Sequence, residues 1–323
     1  MNQFMACRLI PVGVESEKAV VVVIVSDTIQ ARGSAAHLGD CLDALSKQIG
    51  APPFEVIVPH LENVEGIEVV QARFPVVRFL PMPDVVVRLG GREHHDVLRA
   101  RGLAAAHGDL VGLLEDHARP DPQWCASVAA AHRQPYAAVG GAIENGVDRP
   151  LNWAVYYCDF GRYQNPVPAG ETLFASDANV TYKRAALEGV RPSWQESFRE
   201  VVVNRALTSL GQTIALDPKI IVYQNRQGLS LHTALLERFA WGRSYAATRQ
   251  ALLTVPKRVA YAALCPLLPA ILLIRMAKAS WARHSFGTFA RALPITVLLV
   301  AAWSAGEGVG YLLGVQRAPN RGD

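Results

Sequence analysis

The stretch DLVGLLEDHARPDPQW, residues 109–124, decides how this chain is read. After Asp109, residues 110–114 are all apolar or glycine, which suits a strand buried on both faces. The run stops at three polar residues, Glu115, Asp116 and His117. A helix is expected over 121–132, with Pro122 in its first turn, where the missing N–H does no harm. A buried strand that ends in a charged turn and passes into a helix is the repeating unit of a doubly wound α/β sheet. In such sheets ligands gather at the carboxyl ends of the strands.

The same alternation extends on both sides. Residues 19–25 (AVVVVIV) form a β-branched run that predicts another doubly buried strand. Residues 35–49 place Leu38, Cys41, Leu42, Leu45 and Ile49 at helical spacing. Strands are expected at 54–58 and 77–80, then a helix over 95–107 that Gly102 weakens, and a further strand over 136–143. Residues 144–175 carry Pro, Gly and aromatics without a period. A mixed region follows at 175–184, then a helix at 200–210 ending at Gly211, then 213–223, strand-like at its ends. Residues 1–18 read as a tail, and one α/β domain is expected over 19–225.

The C-terminal third changes character. From Arg226 to Arg291 there are ten Lys or Arg and one acid, Glu237. Residues 294–314, with the single charge of Glu307, are long enough to span a bilayer. Residues 259–274 are apolar but shorter and carry Pro266 and Pro269; they read as a kinked span, a re-entrant segment or a buried core helix. Lys257-Arg258 and Arg275/Lys278 bracket that run as charged anchors would. A transmembrane hairpin is therefore expected over 257–316, followed by a tail at 317–323. The preceding segment, 226–256, has Leu231, Leu235, Leu236, Phe239, Trp241 and Tyr245 among Arg238, Arg243 and Arg249. It reads as a basic amphipathic helix at an anionic lipid surface or, equally, as a surface helix of the α/β domain. Glu307 calls for a partner within its segment or in a neighbouring one.

Composition closes off other classes. Half of the 323 residues are hydrophobic and 19% are charged, too polar for a polytopic transporter. A net charge of +4, gathered near the C-terminus, gives no reason to expect a nucleic-acid partner. The five cysteines are scattered without a CxxC pair, so a disulfide framework or zinc site is not expected. No secretory signal is read at the N-terminus, which leads to the expectation of a cytoplasmic catalytic domain on the inner membrane.

Residues 20–250 resemble the family 2 glycosyltransferases, inverting enzymes of the GT-A fold, a Rossmann-like nucleotide-diphospho-sugar transferase domain. LLEDHARPDPQW at 113–124 resembles the family's strand, DxD-type metal motif, proline and tryptophan. RARGLAAAHGD at 99–109 and SDANVTYKR at 176–184 resemble its small-residue helix and its acceptor-side strand, with Asn179 and Arg184 at matching places. The Glu200 to Gly211 spacing matches the distance from the family's catalytic acid to a following glycine, and RFAWGRSYAATR at 238–249 resembles a juxtamembrane motif of anchored members.

The resemblance implies a divalent cation, Mg²⁺ or Mn²⁺, at Glu115, Asp116 and His117, holding the diphosphate of a nucleotide-sugar donor. Histidine favours Mn²⁺ of the two. It implies Glu200 as general base, and Asp27, Arg99, Arg101, Asp116 and Asn179 as donor-binding residues. Trp124 and Trp194 are candidates for stacking on sugars or for packing. The acceptor expected is a glycolipid or polysaccharide near the membrane.

The chain departs from the pattern where Asp-x-Asp reads Glu115-Asp116-His117, where Val58-Pro59-His60-Leu61-Glu62 stands for the base-binding acids, and where Arg199-Glu200 stands for Glu-Asp. These departures keep open a catalytically silent sugar-nucleotide-binding or scaffold protein. A nucleotidyltransferase would want a Gly-rich phosphate loop, for which Arg32-Gly33-Ser34 is a poor substitute.

Overall fold

A computed structural model describes residues 34–85, 93–250 and 253–314, together with the backbone of 20–25. They fall into two compact units. One comprises residues up to 146 and from 163 to 225; the other comprises 147–162 and residues from 226 onward.

The first unit is a nine-stranded mixed sheet with helices, the GT-A type of α/β architecture. Its strands are β1 (Val20–Val25), β2 (Phe54–Leu61), β3 (Arg78–Met82), β4 (Leu110–Glu115), β5 (Ala118–Pro120), β6 (Ala138–Asn145), β7 (Gly170–Thr172), β8 (Asn179–Lys183) and β9 (Ile214–Gln224). They lie in the order β3-β2-β1-β4-β8-β6-β9-β5, with β7 also paired to β9. The strand order turns back at β1, which runs parallel to both β2 and β4. Ligands bind beyond the carboxyl ends of strands at such a switch point, and here Val25 of β1 pairs with Glu115 of β4. β8 runs antiparallel between β4 and β6.

The helices of this unit are α1 (Leu38–Ser46), α2 (Ile67–Arg73), α3 (Glu93–Ala105), α4 (Trp124–Ala131), α6 (Arg184–Gly189) and α7 (Glu200–Ser209). Helical spacing in α1 buries Leu38, Cys41, Leu42 and Leu45 in the core, whereas Ile49 lies past the helix end and is exposed. The helix expected from residue 121 begins at Trp124. Before it, Asp121 Oδ1 accepts the Gln123 amide at 3.0 Å and the short β5 pairs with β9. Trp124 and Trp194 are both almost fully buried. Their indole N–H groups donate to Asn179 Oδ1 (2.9 Å) and to the Leu187 carbonyl (2.8 Å), so packing is the role observed.

The second unit is helical: α5 (Pro150–Asp159), α8 (Leu231–Gln250), α9 (Val255–Leu264), α10 (Leu268–Ala282) and α11 (Phe286–Leu313). α9 and α10 continue through a 3-10 turn at Cys265–Leu267 into one apolar rod, Val255–Ala282. This rod and α11 are each 28 residues, longer than the apolar runs expected from sequence. α5 falls in the stretch read as irregular. α8 buries a stripe of Ala234, Glu237, Arg238, Gly242 and Ala246. That stripe lies against α11 closely enough that a Cβ on Gly242 would meet the Trp303 carbonyl, and one on Gly306 the Phe239 carbonyl. Glu307 is buried; it accepts from Trp303 Nε1 at 3.0 Å and from the Tyr311 hydroxyl at 3.2 Å, partners on its own helix.

Candidate active site

β4 delivers Glu115 to the switch point, and the chain then turns through Asp116 and His117 into β5. All three side chains are nearly buried. The turn brings the side chains of 115 and 117 together. His117 Nε2 lies 3.3 Å from Glu115 Oε2, while His117 Nδ1 donates to Asp116 Oδ1 at 2.9 Å. Gln224, at the end of β9, donates to Glu115 Oε2 at 3.0 Å. The Asn225 amide donates to the His117 carbonyl at 2.8 Å, and its side chain reaches Asp40 at 3.3 Å. Burial works against a charged imidazole here. Glu115 and Asp116 outweigh it and push the His117 pKa up to about 10.

This trio differs from three parallel metal ligands. Among the described residues no group of three or more His, Cys, Asp or Glu is arranged to hold a metal ion. Two donors do converge, Glu115 Oε2 and His117 Nε2. Ligands at neighbouring positions of one octahedral ion stand roughly 3 Å apart, close to the 3.3 Å found. Asp116 sits behind the ring, as carboxylates that orient metal-binding histidines do. The donor set thus fits a divalent cation with two protein ligands once His117 gives up its proton. Cys41 packs beside it, its Sγ 3.8 Å from the Glu115 carbonyl oxygen. Burial first, then Asp116 and Asp40, push its thiol far up, so it is no nucleophile.

A second polar set forms around α3, the loop before β8 and the start of α7. The buried Arg99 guanidinium pairs with Asp177 at 2.7 Å and approaches Asp96 at 3.9 Å. Arg199 Nε donates to Asp96 at 3.1 Å. Glu200 is the first residue of α7 and is half-buried. Glu200, Asp177 and Arg99 all act on the buried Tyr182 hydroxyl; after burial itself, Glu200 does most to push its pKa up. That hydroxyl donates to Asn204 Oδ1 at 3.1 Å.

Strand pairing relates the two sets. Leu114 of β4 pairs with Asn179, the first residue of the antiparallel β8. Asp177, two residues earlier, therefore lies off the same end of the sheet as Glu115. Arg99 comes with it through that ion pair, and Arg199, the neighbour of Glu200, is tied to Asp96 on the same helix as Arg99.

The remaining expected residues divide. Asn179 has no exposed surface. Its amide donates to the carbonyls of Ala142 (2.8 Å) and Ile220 (3.0 Å), and its Oδ1 accepts from Trp124. Gly141 leaves room for that amide: a Cβ there would stand 2.6 Å from Asn179 Nδ2. Arg101 is two residues beyond Arg99, about 200° around α3. It is exposed and donates to Asp84 Oδ1 at 3.1 Å, apart from the Arg99 set. Asp27 lies outside the described residues. Asp177 stands inside the SDANVTYKR motif, beside Asn179, with nothing in its spacing to single it out. Asp96, Gln224 and Asn225 carry no signal in the sequence, because only the strand order brings them here.

The sequence profile of glycosyl transferase family 2 matches residues 28–191, just over half the chain. No curated protein matches significantly. Three similar solved structures are the mannosyltransferase PcManGT from Pyrobaculum calidifontis in complex with GDP-Man and Mn²⁺, S. aureus TarS 1-349 in complex with UDP, and a mycobacterial protein. The first has 15% identity and a TM-score of 0.49, over 92% of this chain and 88% of that one. The second has 12% identity and a TM-score of 0.46, over 90% of each chain. The third has 15% identity and a TM-score of 0.45, over 70% of this chain and 73% of that one. With TM-scores below one half the likeness is loose, and the family assignment stands on the profile.

Proposed function

Because the chain belongs to glycosyl transferase family 2, we propose that it moves a sugar, with inversion, from a nucleotide-diphosphate donor to a glycolipid or polysaccharide acceptor at a membrane. What supports this reading is the common sheet end of the Glu115–His117 turn and of Asp177, whose partner Arg99 shares a helix with Asp96, the residue that holds Arg199 next to Glu200. A transferase needs both an anchor for diphosphate and a carboxylate for the acceptor, within reach of one sugar.

Glu200 acts as general base. Its carboxylate takes the proton of the acceptor hydroxyl as that oxygen bonds to the anomeric carbon, opposite the bond to the departing diphosphate. Arg199 and Arg99, each tied to Asp96 or Asp177, hold the start of α7 and the loop before β8, and so fix where Glu200 stands. Glu115 and His117 would hold a divalent cation, Mn²⁺ or Mg²⁺, while Asp116 orients His117 and Gln224 orients Glu115. A cation bound there would supply positive charge beside the departing diphosphate. The apolar C-terminal helices keep the enzyme at the cytoplasmic face of the inner membrane, where a lipid-linked acceptor is concentrated.

The test is a panel of nucleotide sugars offered to the purified full chain with Mn²⁺ or Mg²⁺, reading donor binding by thermal stabilisation and turnover by nucleoside diphosphate release. One donor is expected to bind and to lose its effect with a chelator. Glu200→Gln is expected to keep donor binding and lower turnover by about 10²-fold or more. Full turnover in Glu200→Gln removes Glu200 as the base. Binding without turnover in the parent chain, with any acceptor extract, favours the silent relative.

A further inference from the structure

From the packing of the second unit we infer that the C-terminal helices form a monotopic anchor. They lie in the plane of one anionic leaflet and do not cross the bilayer. The inference takes membrane association from the proposed function and is independent of the sugar chemistry.

Length is the first argument. The charge-free run between Arg258 and Arg275 is 16 residues, about 24 Å of helix. Between Arg291 and Glu307 in α11 it is 15 residues, about 22 Å. A hydrocarbon core is about 30 Å thick. Both helices are long enough as wholes, but neither offers an uninterrupted apolar length that matches the core.

The neighbours of α11 are the second argument. Along its first turns it carries α5: Tyr157 packs its ring on Phe289 at 5.3 Å, and its hydroxyl donates to the Ser285 carbonyl at 3.4 Å. Arg291 pairs with Asp148 just ahead of α5 at 3.2 Å. Along its last turns α11 carries α8, with Gly306 against Phe239 and Gly310 against Arg243 and Ala246. α8 is not a membrane helix: it brings Glu237 paired with Arg226 (2.6 and 3.0 Å) and Arg238 paired with Asp159. One face of α11 is thus lined from end to end by helices that carry charge. An upright α11 would draw these ion pairs into hydrocarbon, at several kcal/mol for each charge. A prone α11 leaves them on the aqueous side.

The rod Val255–Ala282 supplies the lipid-facing surface. Val255, Leu264, Leu267, Ile274 and Trp281 are each more than half exposed; Trp281 meets the Phe286 ring at 5.3 Å and still leaves most of its surface open. Charge identifies the occupant. Residues 255–314 carry six Lys or Arg and one acid, the buried Glu307. The cations cluster at both ends of the rod, at Lys257-Arg258 and at Arg275, Lys278 and Arg283. A spanning hairpin must leave one of these groups on the far side, against the positive-inside preference. An in-plane hairpin keeps both beside the anionic headgroups of the same leaflet.

The unmodified chain provides the test. Lys257 and Lys278 are exposed and lie near opposite ends of the rod. The full chain, expressed in a bacterial host, is treated with a membrane-impermeant amine reagent in spheroplasts and in inverted membrane vesicles, and labelling is read by mass spectrometry. Both lysines are expected to react in inverted vesicles and neither in spheroplasts. Reaction of one lysine from each side overturns the proposal, as does recovery of the chain in the soluble fraction. A second measurement uses Thr254→Cys and Gly287→Cys in a Cys7→Ser background with an impermeant maleimide. Thr254 is exposed, and a Cβ at Gly287 meets nothing within 4 Å, so neither change disturbs packing. Same-side labelling supports the proposal and opposite-side labelling refutes it.

Discussion

Asn179 offers the sharpest separation of scaffold from site. Its side chain joins β8 to β6 and β9 through the Ala142 and Ile220 carbonyls, and to α4 through the Trp124 indole. Asn179→Ala removes all three bonds from a position with no exposed surface. A hydrogen bond contributes about 0.5–1.5 kcal/mol net, and a buried indole N–H left without an acceptor costs about 1–3 kcal/mol. Two such bonds and the orphaned indole together come to about 2–6 kcal/mol. For a domain of this size that lowers the unfolding midpoint by roughly 10 °C. The assay is thermal unfolding of the detergent-solubilised full chain, followed by donor binding well below the variant's midpoint. The expected result is the large shift in midpoint with donor Kd changed by no more than about threefold. An unchanged midpoint with donor binding lost would refute the reasoning, because the amide would then be reading ligand and not bracing the sheet.

Two further outcomes follow from the site and from the helical unit. His117 holds its proton up to a pKa of about 10 because Glu115 and Asp116 outweigh burial. At neutral pH a cation must displace that proton, so Mn²⁺ affinity is expected to rise as pH increases from 6.5 to 8.5, by up to about tenfold per unit. Calorimetric titration in two buffers should show close to one proton released per ion, and a flat profile removes His117 as a ligand. Gly306→Val thrusts a side chain into the Phe239 carbonyl of α8. It is expected to destabilise the second unit by roughly 3 kcal/mol and to open α8 to limited proteolysis, with Gly287→Ala as the silent control; unchanged protection would contradict the close α8–α11 packing.

Much of the fold could be read along the sequence, and the exceptions have local causes. β4 stands out because its side chains are buried from Val111 to Glu115, so its sequence is an unbroken apolar run up to the acid. α2 leaves no readable period because IEVVQAR makes barely two turns and starts from Gly66 in a left-handed conformation, at φ 78°. α5 leaves none because Leu151, Asn152, Ala154, Val155, Tyr156 and Tyr157 are buried around nearly its whole circumference. A helix without a solvent face has no amphipathic stripe to detect. α8 was visible as a helix, but its role was not. Gly242, Gly306 and Gly310 mean little until the register shows each against a carbonyl of the other helix.

The site divides in the same way. Glu115, Asp116 and His117 are neighbours in sequence, so their cluster was evident, although the distribution of work within it was not. Asp96, Arg99, Asp177 and Glu200 span more than a hundred positions, and the antiparallel insertion of β8 brings Asp177, with its partner Arg99, to the end of β4. That assembly changes how Arg99 should be understood. As a helix arginine near a phosphate site it suggested a contact to the diphosphate. In the folded chain its charge is already matched by Asp177 at 2.7 Å inside the protein. A phosphate would have to displace a carboxylate that is held by the loop leading into β8, and would leave that carboxylate desolvated and unpaired. Arg99 is better understood as the tie that fixes this loop beside Glu200, which leaves the cation as the main counter-charge for the diphosphate. Cation-assisted departure of the diphosphate therefore rests on the pair Glu115 and His117.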